Sequence, residues 1–105
     1  MSKYTVFQIN LSDEQYENNA IRELYLDTIM SPTDNAIAAA RDLYEVVADI
    51  EADSLSDVFE IGNIGPENKI TRKAPMHSLS VGDIILCESG KVVYVAPIGF
   101  QPINF

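Results

Sequence analysis

Residues 4–10 alternate between two faces, with Tyr4, Val6 and Gln8 on one and Thr5, Phe7 and Ile9 on the other, in a stretch rich in β-branched and aromatic residues. The pattern predicts an opening strand over Tyr4–Asn10. At Ser12 the period changes: Ser12 and Gln15 have the spacing of a capping box, and Asp13 and Glu14 sit in a first turn where carboxylates favour the helix dipole. Ala20, Ile21, Leu24, Tyr25 and Ile29 then recur at helical spacing, while Glu14, Glu17, Asn18, Arg22, Glu23 and Asp27 fall mainly elsewhere. A helix from about 13 to 30 with one packed face and one wet face is expected. Ser31-Pro32-Thr33-Asp34 stops it and starts a second helix, whose face is Ala36, Ile37, Ala40 and Leu43. From 44 to 51 the period returns to two, Tyr44, Val46, Ala48 and Ile50 alternating with Glu45, Val47, Asp49 and Glu51, so a half-buried strand is expected there.

Ser54 with Asp57 opens a short third helix carrying Leu55, Val58 and Phe59, and Gly62-Asn63 stops it. Residues 65–75 read as loop. Gly82 then turns the chain into Ile84–Cys87, Glu88-Ser89-Gly90 reverses it, Lys91–Ala96 returns, and Pro97-Ile98-Gly99 turns it into Phe100–Phe105. The expected fold is α+β: a single small domain over residues 1–105, with its helical part at about 12–62. An antiparallel sheet made largely by the C-terminal meander is completed by the 4–10 strand and covered by the two N-terminal helices. With 105 residues, 47% of them apolar, the chain suits one core. No internal repeat or linker divides it.

Charge narrows the functional classes. Residues 1–60 hold 13 Asp and Glu against 3 Lys and Arg, whereas residues 61–105 hold 3 against 4. A field of that sign repels phosphate backbones and favours solubility or attraction to basic protein surfaces, so direct nucleic-acid binding is not expected. No apolar run approaches the length of a membrane span, and Met1-Ser2-Lys3-Tyr4 passes straight into the strand pattern without the apolar stretch of a signal peptide. The expectation is a cytoplasmic protein with no membrane partner.

Few residues offer chemistry. His77 is the single histidine, beside Ser78, and sequence neighbours rarely form a nucleophile and base with an orienting carboxylate; its simpler role is to bond a loop against the sheet. His77 with Asp83 or Glu88 supplies too few ligands for a metal site, and the glycines form no phosphate-binding motif, so no metal, cofactor or catalytic residue is expected. Cys87, the one cysteine, lies in the apolar run Ile84–Cys87 and reads as a small buried hydrophobe. Two candidate surfaces remain. Glu14, Glu17, Glu23, Asp27, Asp34, Asp42 and Glu45 could present an acidic face to a partner or merely solvate the helices. Arg72 and Lys73, with His77 close by, form the one basic loop and could bind an anion or offset the acidic half.

The run His77-Ser78-Leu79-Ser80-Val81-Gly82-Asp83-Ile84, with Val93-Tyr94-Val95 and Gly99-Phe100, resembles the YodL-like family of small proteins and domains of bacteria, their phages and other mobile elements. The resemblance covers about 75–105. Residues 47–55 and 58–63 look like small proteins of tailed phages. These families bring no catalytic residue with them. Taken with the acidity of residues 1–60, the resemblance leads to the expectation of a non-enzymatic phage or mobile-element accessory protein that binds and modulates, by inhibition, a host protein through its acidic surface. A special case is a DNA mimic occupying a nucleic-acid-binding protein. The alternative is a small ligand- or RNA-binding barrel of PUA or ASCH type, using the 69–77 loop.

Overall fold

The computed structural model describes residues 2–105; Met1 lies outside the described residues. Six antiparallel strands form one sheet: β1 (Ser2–Ile9), β2 (Tyr44–Ala52), β3 (Ile70–Arg72), β4 (Ile84–Leu86), β5 (Val92–Val95) and β6 (Phe100–Pro102). Their spatial order is β3-β2-β1-β4-β5-β6. The helices are α1 (Asp13–Glu17), α2 (Asn19–Met30), α3 (Asp34–Ala39) and α4 (Leu55–Asn63). The α+β class expected from the sequence is what the structure shows. The meander supplies only one half of the sheet; β1 pairs with β4 on that side and along its whole length with β2 on the other. β3 lies inside the segment expected to be loop, a three-residue edge strand whose Thr71 and Arg72 are exposed and give no apolar signal.

β2 forms where alternation places it, but its faces differ from the expected ones. Val6 lies opposite Ala48 and Phe7 opposite Val46, so Val47 is an extra residue in the ladder. One inserted residue inverts the parity of everything beyond it. Ala48, Ile50 and Ala52 therefore join Val6 in the larger core, while Tyr44 crosses to the opposite face with Phe7. Val47, expected outside with Glu45, is fully buried, and its carbonyl accepts the N–H groups of Lys73 (2.8 Å) and Ala74 (3.3 Å).

The larger core sets Val6, Ile50, Ile85, Val93 and Val95 against Val58 and Ile61 of α4, with Leu79 inserted beside them. Gly62 permits that insertion, since a Cβ there would stand 2.5 Å from Leu79 Cδ1. The second face packs Ile37 of α3 on Ile84 and Tyr94, flanked by Phe7, Tyr44, Ile103 and Phe105. The last strand ends at Pro102 instead of running to 105. The chain then folds over this face and brings the Phe105 ring edge-on to Phe7 (5.9 Å between centroids) and Tyr44 (5.4 Å).

The expected first helix is two. Ser12 and Gln15 close the capping box, with the Ser12 hydroxyl 3.1 Å from the Gln15 N–H and the Gln15 amide oxygen 3.0 Å from the Ser12 N–H. Asn18 then takes an extended conformation, and its side-chain oxygen accepts from Ala20 N (3.0 Å) and Ile21 N (3.2 Å). A side chain that satisfies two orphan donors caps a new helix better than it continues an old one. α1 buries no residue, α2 buries only Thr28, and neither contributes to either core cluster. The cover of the sheet is thus α3 on one face and α4 on the other, and α1 and α2 form an arm rooted at Thr28.

Candidate functional site

The arm gathers four of the seven expected acidic residues. Glu14 and Glu17 lie on α1, Glu23 and Asp27 on α2, and all four are exposed. Glu23 and Asp27 are one turn apart and share a helix side with Ala20 and Met30, the latter 77% exposed. Arg22 is the one basic residue between positions 10 and 40. It donates to the Tyr16 carbonyl (3.0 Å) and to Asn19 Oδ1 (2.6 Å) and lies 5.7 Å from the Tyr16 ring centre, so it braces the α1–α2 joint. The other three carboxylates belong to the body. Asp34 begins α3 beside Tyr94, Asp42 lies in the turn Arg41–Leu43, and Glu45 on β2 accepts from Asn10 Nδ2 (3.3 Å).

The basic loop is drawn apart. Arg72 forms a fork on Glu67, Nε to Oε1 at 2.7 Å and Nη2 to Oε2 at 3.1 Å, and this exposed pair holds the Glu67 carboxyl below its usual range. Lys73 turns to Asp49 Oδ2 at 3.1 Å. Burial pushes the Asp49 carboxyl up, but the Thr5 hydroxyl and Lys73 outweigh it and keep Asp49 below its ordinary value. Arg72 and His77 share a shallow depression with the end of α4, and Lys73 does not line it. Cys87, expected to be buried, is half-buried at the β4–β5 turn, and that burial pushes its thiol up against the opposing influence of Lys91.

The most elaborate polar arrangement is one that the sequence pattern did not single out. Gln8, on the inward face of β1 and fully buried, donates through Nε2 to the His77 carbonyl (2.9 Å) and to Asp83 Oδ2 (3.0 Å), and accepts from His77 N (3.1 Å). Asp83, 5% exposed, also accepts from Ser80 N at 3.0 Å. Its backbone joins the sheet through Val95 N, 2.8 Å from Asp83 O. Burial is the leading influence on this carboxyl and raises it to about 6, against the pull of Ser80 N–H, Gln8 and nearby His77. Gly82, at φ +95°, lies so close to α2 that a Cβ would stand 2.5 Å from the Thr28 carbonyl oxygen, and the Tyr44 hydroxyl donates to the Gly82 carbonyl. Ile9, Tyr25, Thr28, Ile29, Tyr44, His77 and residues 80–83 line the narrow cleft between the arm and the sheet. Burial and the charge of Asp83 raise the hydroxyls of Tyr25 and Tyr44.

Every buried side-chain nitrogen and oxygen among the described residues has a hydrogen-bond partner, so the donors and acceptors of this cluster serve one another. Its chemistry is fastening: Leu79 plugs the α4 side, Gly82 seats the arm, and Gln8 clamps the segment to β1. The signal in the sequence was Gln8 itself, a long amide on the same strand face as Tyr4 and Val6, where burial demands partners. Among the described residues no helix is long and apolar enough to cross a membrane. The chain matches no family model, no curated protein and no solved structure.

Proposed function

We propose that this protein is a non-enzymatic binding module, an accessory protein of a phage or mobile element that occupies a basic surface of a host protein in the cytoplasm and inhibits it. The observation that carries the reading is the arm: Glu14, Glu17, Glu23 and Asp27 are exposed on helices that contribute one buried residue, while the single cation among them braces the joint. Exposed charges contribute little to stability and strongly steer association, so such an arm is suited to recognition more than to holding a fold together. Asp34, Asp42 and Glu45 extend the acidity onto the body, and a DNA mimic in the groove of a nucleic-acid-binding protein is the special case this spread favours. The YodL-like resemblance of the 77–100 region supports the mobile-element setting.

The test is parallel affinity purification with three baits: wild type, Glu23→Lys/Asp27→Lys/Glu45→Lys, and Arg72→Ala/Lys73→Ala/His77→Ala. The reading expects a protein retained by the first and third baits and lost from the second. A partner lost only from the third bait would replace it with a ligand or RNA site at the 69–77 loop.

A further inference from the structure

We infer that Asp83 is a proton-operated latch at the root of the α1–α2 arm, closed when its carboxyl is protonated and loosened when it is ionised. The inference deepens the docking reading and rests on it only for its consequence, a better-held arm in mildly acid than in alkaline conditions.

Three observations place the latch. Asp83 adjoins Gly82, the residue against which Thr28 seats the arm; a Cβ added at position 82 would stand 2.5 Å from the Thr28 carbonyl oxygen, so the joint has no room for a side chain. Tyr44 reaches across from β2 to the Gly82 carbonyl, so both sides of the cleft meet at this one peptide. The Asp83 carboxylate is taken up by neutral donors, Ser80 N–H and the Gln8 amide, and the groups facing it are His77 from its own loop, Tyr25 from α2 and Tyr44 from β2. His77 is exposed, and the tyrosines bring no positive charge. An ionised carboxylate in that setting is short of compensation, and opening the cleft to water relieves it.

The sign follows from linkage. The closed joint holds its proton up to about pH 6, whereas a hydrated Asp releases it near its ordinary 3.8. Closure is therefore most favourable below about pH 4, weakens as pH rises through 6, and is constant above that. The largest effect this allows on the opening equilibrium is about a hundredfold, because the closed and hydrated carboxyls differ roughly a hundredfold in proton affinity.

Amide hydrogen exchange of the unbound protein reads the opening directly. After correction for the intrinsic pH dependence of exchange, protection of the 19–30 amides should rise by about tenfold from pH 7.5 to 5 in the wild type. In Asp83→Asn it should be high and flat. His77→Asn should move the wild-type midpoint upward, because His77 favours the ionised form. Equal pH profiles in wild type and Asp83→Asn, or a profile abolished by His77→Asn, would overturn the latch. Should Asp83→Asn fail to fold, the carbon chemical shift of the Asp83 carboxyl in the wild type decides: a midpoint near 6 supports the latch and one below about 4.5 overturns it. No partner enters these measurements, so their failure leaves the docking reading intact, and failure of docking leaves the latch intact.

Discussion

Ionising Asp83 within the Gln8 clamp leaves a carboxylate in the interior on two neutral donors, and stability at neutral pH carries the cost. Because burial raises the folded carboxyl to about 6, the folded state binds this proton more tightly than the unfolded chain does, and stability falls as pH rises from about 4 through 6. Asp49 acts in the opposite direction: it is held below its ordinary value, so its contribution is present at neutral pH and is lost on strong acidification. Thermal melts should accordingly show Asp83→Asn more stable than wild type by ~1–3 kcal/mol at pH 7.5, with the difference vanishing near pH 4. Gly82→Val should destabilise by ~2 kcal/mol or more, since it combines a strained positive φ with a Cβ driven into the Thr28 carbonyl. A Gly82→Val protein that melts like the parent would contradict that seating.

At the level of elements, the Val47 bulge decides which residues meet. Deleting Val47 leaves Tyr44 on the Phe7 face and Ala48 on the Val6 face, but it removes a fully buried side chain from the larger core and the carbonyl that accepts from Lys73 and Ala74, so the deletion should lower the midpoint by well over 10 °C (roughly 3 kcal/mol or more for a chain of this size). The existence of β1, β2, α4 and the meander was legible because each combines a clear period with a cap or turn glycine. The bulge was not, because an inserted apolar Val between Val46 and Ala48 leaves no polar trace in the pattern. The break at Asn18 was legible in retrospect from the Asn18-Asn19 pair, yet the apolar stripe on either side outweighed it. Of the candidate site, the acidic residues could be read directly from charge. The Gln8–Asp83 clamp spans positions 75 apart in sequence and emerges only once β4 is laid beside β1.

Over the whole molecule, the acid excess lies in the half of the chain that contains the arm, and the fold is held by the two cores that α3, α4 and the sheet share. Fold and charge are thereby separable. Glu23→Lys/Asp27→Lys/Glu45→Lys should leave the melting free energy within ~0.5 kcal/mol of wild type, because these side chains are exposed and the reversed charges are hydrated as readily. Calorimetric titration of the purified partner against wild type, this triple variant and Arg72→Ala/Lys73→Ala/His77→Ala, at low and at physiological salt, is the most direct test of recognition by the acidic arm. The account predicts wild-type binding that weakens as salt shortens the screening length to ~8 Å, a loss of about tenfold or more in the charge-reversed protein, and no change in the alanine variant. Binding that survives the reversals and is lost with Arg72, Lys73 and His77 would contradict it.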